Sequence, residues 1–304
     1  MSDKDKVEML LLLVQNVDVF AWSPYEVFGV DTFIVHQLNV NPLFPPKKQK
    51  PRRLAKEHME AVKQEVKRLK EVGAINEVFF LEWLVNILVV REKNDKWKVC
   101  VDFTDLNQAC PKDLFPVPKI DQLIDAIYGH PRMSFLNAFQ GYHQIALVVE
   151  DQEKTAFIYL DANYHYIVIP FGLKKAGATY QRMMIRMFRE QIGHTVEVYI
   201  DDVVVKNKDE QEHIGDFMDV FEILRRHKLH LNADKCAFGV GAGKFLGYII
   251  THQGIEVNLD QISAIECLKS PSNPKEVQVL TSMLALLNLF ISNLQTGAVH
   301  SISC

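Results

Sequence analysis

The sequence predicts an α+β fold in which an antiparallel hairpin carries two adjacent carboxylates and helices pack against its sheet. Three observations predict it. Val196-Glu-Val-Tyr-Ile-Asp-Asp-Val-Val-Val205 is among the most strand-like runs of the chain, with β-branched and aromatic residues on both sides of Asp201 and Asp202. Before it, Ala176, Tyr180, Met183, Met184, Met187 and Phe188 recur at helical spacing, and after it Ile214, Phe217, Met218, Phe221 and Leu224 do the same. Two such helices flanking one hairpin would bury their apolar stripes on one face of its sheet.

The elements follow in chain order. Lys6 to Trp22 reads as a short helix with Val7, Leu10, Leu11 and Val14 on its apolar side and Val19-Phe20 as the docking residues. Lys47 to Arg53 is extended, because Pro45, Pro46 and Pro51 disfavour helix there. A helix then repeats Met59, Val62, Val66 and Leu69 and stops near Gly73. Trp83 to Val90 and Lys98 to Phe103 form a hairpin around a polar tip at Asn94-Asp95, with Arg91, Lys93, Lys96 and Lys98 clustered about it. Cys110 to Pro118 holds three prolines and is an irregular connector before a helix from Ile120 to Ile127 that ends near Gly129. Phe135 to Ile145 runs from strand through a tight turn. Lys154 to Phe157 and Tyr164 to Ile169 are strands joined around Asp161-Ala-Asn163. Leu229 to Asn232 and Cys236 to Phe238 are short strands, and Lys244 to Ile250 pairs with Gly254 to Val257 around Thr251-His-Gln-Gly. The end is helical, from Leu259 to Leu268 and again from Lys275 to Leu294.

Composition narrows the class. At 304 residues, 48% hydrophobic and 24% charged, the chain has ample apolar material for one large domain or two or three lobes. A net charge of −4 argues against a uniformly basic nucleic-acid binder, yet Lys47 to Lys70 holds ten Lys/Arg against three Glu. That strip is either a phosphate-binding surface or a solvated helix face. No apolar run reaches the ~18 residues of a membrane span, and no signal pattern opens the chain, so an intracellular, cytoplasmic location with no membrane partner is the expectation. Five scattered cysteines fit reduced thiols. His227, His230 and Cys236 suggest zinc, but a fourth ligand is missing and the spacing fits no structural zinc pattern.

Charge in a strand-like run calls for compensation, and a divalent cation held by Asp201 and Asp202 is the simplest form of it. The alternative is a plain hairpin whose turn uses two aspartates, a favoured turn residue.

Six segments, in order, decide between these. They are Trp97-Lys-Val-Cys-Val-Asp-Phe-Thr-Asp-Leu-Asn107, Phe115-Pro-Val-Pro118, Phe135-Leu-Asn-Ala-Phe-Gln-Gly-Tyr-His-Gln-Ile145, Pro170-Phe-Gly-Leu-Lys-Lys-Ala-Gly-Ala-Thr-Tyr-Gln181, Tyr199-Ile-Asp-Asp202 and Lys244-Phe-Leu-Gly-Tyr248. Together they resemble the reverse transcriptase region of gypsy-class (Metaviridae) LTR retrotransposon Pol polyproteins, over about Leu10 to Leu294. The resemblance implies a right-hand polymerase: an N-terminal segment over residues 1–46, fingers over 47–130 with 150–170, a palm over 131–252, and thumb or connection helices over 253–294. The reverse transcriptase core would span about 71–250, and residues 295–304 resemble nothing we can place. It implies RNA-directed and DNA-directed DNA synthesis, with two Mg2+ (or Mn2+) ions, a primed RNA or DNA template and a dNTP as partners.

The same resemblance assigns residues. Asp201 and Asp202 would be the catalytic metal ligands, Asp201 the stronger candidate. Tyr142 matches the bulky residue that rejects a ribose 2′-hydroxyl. Lys96 and Lys98 match the element that contacts the triphosphate, and Phe171 and Gly172 the nucleotide pocket. Gln181 lies where the template pocket is built, and Phe245, Leu246, Gly247 and Tyr248 resemble the primer grip. One position departs from the family: Asn137 stands where a catalytic aspartate is expected. An amide keeps the size and one oxygen but loses the negative charge that a metal centre needs. The expectation is therefore a polymerase with impaired chemistry, or else a non-catalytic nucleic-acid-binding remnant or decayed transposon fragment.

Overall fold

The computed structural model describes residues 3–26, 29–30, 33–79, 81–92, 95–160, 162–208, 212–256, 259–266, 268 and 270–284. Helix α1 (Asp3–Gln15) buries Met9 and Leu12, whereas Val7, Leu10, Leu11 and Val14 stay exposed. The expected docking stripe is thus rotated, because Met9 to Val14 is apolar on every side and its periodicity cannot choose a face. Docking falls to Val19 and Phe20, both buried, where β1 (Phe20–Ala21) pairs in parallel with Leu231–Asn232.

After the extended basic stretch, α2 (Lys56–Glu71) buries Val62, Val66 and Leu69, and the chain leaves it through Gly73 at φ +66. Strand β2 (Ile75–Val78), which the sequence did not announce, leads to the hairpin of β3 (Ile87–Arg91) and β4 (Trp97–Val101). Its tip residues 93–94 lie outside the described residues. Short α3 (Thr104–Ala109) and amphipathic α4 (Ile120–Ile127) flank the proline connector. Strand β5 (Arg132–Asn137) is followed by a turn at Gln140 and by α5 (Val149–Gln152). Strands β6 (Phe157–Tyr159) and β7 (Ala162–Tyr166) pair with each other, two to three residues displaced from the expected runs, and β2 pairs with β7.

Helix α6 (Ala176–Met187), β8 (Val196–Tyr199), β9 (Asp202–Asn207) and α7 (Glu212–Arg226) form the expected helix, hairpin, helix series. On α7, Val220 and Ile223 join the buried face, and Met218 is exposed instead. Strands β10 (Leu231–Asn232) and β11 (Ala237–Val240) precede a meander of β12 (Ala242–Phe245), β13 (Tyr248–Thr251) and β14 (Gly254–Glu256). Here the expected single strand from Lys244 to Ile250 is two strands. Leu246 and Gly247 have φ +50 and +89, as a two-residue primed hairpin turn requires, and the apolar residues on both sides hid that turn. Helix α8 (Leu259–Glu266) and a helical stretch over 274–284 end the described chain. Residues 285–294 of the expected last helix lie outside the described residues.

The central sheet has the order β11-β5-β9-β8, antiparallel throughout. Side-chain alternation gives it two faces. Val196, Val198, Val203, Val205 and Leu136 pack with Met183 and Met184 of α6 and with Phe217 and Phe221 of α7. Met133, Phe135 and Val204 pack with Leu123, Ile124 and Ile127 of α4 and with Phe245, Tyr248 and Ile250 of the meander. So both helices do share one face, and the other is closed by α4 and the meander.

Candidate active site

The end of the central sheet brings Asn137, Asp201 and Asp202 together. Asn137 on β5 is the register partner of Asp202 on β9, and Asp202 closes the β8–β9 hairpin opposite Tyr199. Ile200 and Asp201 are the two turn residues between the strands. Asn137 Nδ2 donates to Asp202 Oδ1 at 3.1 Å. Behind it, Cys236 Sγ accepts from Asn137 N–H at 3.4 Å and donates to Asn137 C=O at 3.8 Å, so the backbone of residue 137 faces away from β9. Asn137 and Asp202 therefore form a non-hydrogen-bonded pair of the ladder, the kind in which opposed side chains come closest.

The turn is strained. Ile200 has φ +52, a conformation that a β-branched residue adopts at a cost of about 1–3 kcal/mol. Gln181 holds it there: its Oε1 accepts from Ile200 N–H at 2.6 Å and its Nε2 donates to Val198 C=O at 3.2 Å. The side chain of Gln181, expected where the template pocket is built, is fully buried, and both ends of its amide are engaged by the hairpin.

Electrostatics match that crowding. Burial first and then the adjacent Asp202 push the Asp201 carboxyl up to about 6, against the opposing charge of Lys235. Burial also raises Asp202, against the hydrogen bond from Asn137 and the charge of Lys235. Tyr142 is pushed up to about 12 by burial and then by Asp201. Two carboxylates with an amide beside them suit a hard cation such as Mg2+, which takes one or two carboxylates and completes its shell from substrate oxygens. A third acidic ligand is lacking, and among the described residues no group of three His, Cys, Asp or Glu gathers to hold a metal ion. That covers His227, His230 and Cys236 as well.

Next to the acids, the Tyr142 ring meets Phe171 edge-on at 5.4 Å between centroids and Tyr180 at 5.6 Å. Phe171 is half exposed, and Gly172 turns there at φ +100 while its carbonyl accepts from Asn107 Nδ2 at 2.7 Å. Lys98 Nζ lies 6.0 Å from the centre of the Phe171 ring and 3.6 Å from Glu92. Lys96, Lys98 and Phe171 line a cavity of about 640 Å³ with Arg68, Gln140 and His143; neither Asp201 nor Asp202 lines it. Of the four residues expected to touch a primer, Phe245 and Tyr248 are core residues beneath the sheet, and only Leu246 and Gly247 form the turn. The sequence reading gave Gly141, Tyr180, Lys235 and Cys236 no role at this site: Tyr180 counted only as an apolar helix position and Cys236 as part of a short strand, and the contacts that bring them to the acids are not local.

A sequence profile of the reverse transcriptase (RNA-dependent DNA polymerase) family matches residues 90–250, more than half of the chain. The chain belongs to the reverse transcriptase family. Among its relatives, the retrovirus-related Pol polyprotein from transposon 297 of Drosophila melanogaster is 30% identical over 278 residues, covering 89% of this chain and 26% of the relative. The Pol polyprotein from transposon gypsy of the same species is 28% identical over 200 residues, 66% of this chain and 19% of the relative. The transposon Tf2-3 polyprotein of Schizosaccharomyces pombe is 28% identical over 233 residues, 77% and 17% respectively. The chain thus spans about a quarter or less of these relatives. Among solved structures, the foamy viral protease-reverse transcriptase in complex with dsDNA superposes with a TM-score of 0.84 at 18% identity, over 94% of this chain and 59% of that one. Its complex with an RNA/DNA hybrid gives 0.83 at 17%, over 94% and 38%. The reverse transcriptase polymerase fold, with mixed helices and antiparallel sheets, is therefore the fold of this chain. No helix among the described residues is long and apolar enough to cross a membrane.

Proposed function

We propose that this chain is the polymerising domain of a retrotransposon Pol polyprotein, extending a primer with deoxynucleotides on an RNA or DNA template, and that Asn137 impairs its chemistry. One observation carries the reading: residue 137, Asp202 and Asp201 meet at the open end of the central sheet, with Tyr142 alongside. In this reading residues 47–130 with 150–170 are the fingers, 131–252 the palm and 253–294 the thumb or connection, and the protein works in the cytoplasm. The foamy viral relatives bound to dsDNA and to an RNA/DNA hybrid support a primed template as partner.

Asp201 and Asp202 would hold the divalent cations. The chemistry that Mg2+ or Mn2+ supplies when bound is activation of the primer 3′-hydroxyl and neutralisation of charge on the departing pyrophosphate. Tyr142 and Phe171 wall the sugar of the incoming dNTP, leaving no room for a 2′-hydroxyl. Lys96 and Lys98 offset charge on its phosphates. Leu246 and Gly247 meet the primer backbone. Asn137 weakens the site in two ways: it lacks a charge, and its amide N–H engages an oxygen of Asp202 that a cation would use.

Primer extension with Mg2+ or Mn2+ tests this. Asn137→Asp should raise the rate by at least about 100-fold, since even groups that only support a metal ligand are worth 10- to 100-fold. Robust synthesis by the native chain, unchanged in Asn137→Asp, overturns the impairment; no synthesis and no primer–template binding by either chain overturns the assignment.

A further inference from the structure

Two buried polar atoms near the acids lack hydrogen-bond partners, Tyr180 Oη and Asp201 Oδ1. Both face the same spot. A Cβ placed on Gly141 would lie 2.7 Å from Tyr180 Oη and 2.9 Å from Asp201 Oδ1, so the bare backbone of Gly141 leaves the gap into which the hydroxyl and the carboxylate converge. Tyr180 is fully buried on α6, and its ring is fixed against Tyr142. Its neighbour Gln181 grips the backbone of the same hairpin turn. Consecutive residues of one helix therefore address one turn, Gln181 its main chain and Tyr180 its carboxylate. A fully buried hydroxyl left unbonded is costly, and so is an unbonded carboxylate oxygen; one contact between them removes both penalties.

We propose that Tyr180 is a positioning residue whose hydroxyl donates to Asp201 Oδ1 and so turns the other carboxylate oxygen, Oδ2, towards the cleft where the cation binds. The proposal rests on the reading of Asp201 as a metal ligand. Tyr180 touches neither substrate nor cation; it acts through Asp201. Gly141 is the condition for the contact, because any side chain there would drive the hydroxyl away.

Two measurements on the whole chain test it. In Mn2+ titrations followed by electron paramagnetic resonance, Tyr180→Phe should weaken binding by about 10- to 100-fold, the range for groups that orient a metal ligand. In a double-mutant cycle on thermal melting, Tyr180→Phe alone should lower the midpoint by about 2–4 °C. The same change in an Asp201→Asn background should lower it by less. Unchanged Mn2+ affinity in Tyr180→Phe overturns the orienting role. A rise in melting midpoint, as expected when an unbonded buried hydroxyl is removed, overturns the hydrogen bond itself. If the native chain takes up no Mn2+, the metal reading of Asp201 fails, whereas the melting cycle still decides the Tyr180–Asp201 contact. Gly141→Ala gives a second route, since its Cβ should weaken Mn2+ binding with Tyr180 intact.

Discussion

Two hairpins of this chain are built alike and situated in opposite ways. The β8–β9 hairpin has two aspartates at its tip, strands buried in a four-stranded sheet, and helices behind it. The β3–β4 hairpin is a two-stranded ribbon whose lysines at 96 and 98 and ring at Trp97 are exposed. The acidic turn is clamped by Gln181 and backed by Cys236 at residue 137, whereas the ion pairs at the basic tip, such as Arg91 with Asp95 and Lys98 with Glu92, lie in solvent. The difference teaches a division of labour. Under the proposed reading, the acids that would hold a cation stand on the most over-determined element, and the lysines that would only supply charge stand on the least.

If that division is right, damage to the buried hairpin should cost far more than damage to the exposed one. The largest effect is expected at Glu197, which pairs with Lys206 at 2.8 Å on neighbouring strands, with both side chains almost fully buried. Lys206 Nζ also donates to Ala126 C=O at 2.7 Å, tying the hairpin to α4. Glu197→Ala strands a buried ammonium and should lower unfolding free energy by about 3–5 kcal/mol in urea titrations. Replacing both residues with apolar ones of similar volume should recover most of it. Next comes Gln181→Leu, which leaves Ile200 N–H and Val198 C=O without their partner and should cost about 2–4 kcal/mol by the same measurement.

Much of this contrast was legible in the sequence. The acidic hairpin, α6 and α7 follow from local patterns, β-branched runs and helical spacing, and they stand where expected. The clamps are not local. Gln181 reaches its turn across 19 residues and Cys236 reaches Asn137 across 99, and a glutamine or a cysteine announces neither partner. Strand β2 and the face of α1 were lost for a different reason: in a short or uniformly apolar run, periodicity carries no direction. The Leu246-Gly247 turn shows the converse, a backbone conformation decided by one glycine inside an apolar run.

Acid should also act on the buried side first. His213 lies under the central sheet with Nε2 at 3.0 Å from Ser134 Oγ, and burial, with help from Arg132, lowers it from the usual 6.5 to about 4. The unfolded chain binds that proton and the folded chain refuses it between those values, so stability is full above pH 6.5 and declines as pH falls towards 4. The loss is up to about 3 kcal/mol. His36, which burial and Lys175 depress to about 4, adds to the same decline. His213→Gln should flatten the dependence of melting midpoint on pH across that window, and an unchanged slope would show that the imidazole is not held neutral.

The smallest effect on stability belongs to the basic hairpin, and there the comparison is sharpest. Lys96 and Lys98 are exposed, and their solvated contacts contribute little to folding, so Lys96→Gln with Lys98→Gln should shift unfolding free energy by less than about 0.5 kcal/mol. Charge offered to a triphosphate is a different matter. The double variant should weaken dNTP binding about 3- to 10-fold at low ionic strength, and the gap should close as salt shortens the screening length to a few ångströms. Trp97 sits between these lysines, with Arg91 5.9 Å from its ring, so a change in its fluorescence on adding dNTP is the readout for the proposed binding at this hairpin. A fall of several degrees in melting midpoint would break the comparison, for it would make the ribbon part of the core; unchanged nucleotide affinity at low salt would leave the ribbon as edge protection, which lysines on an exposed strand also provide.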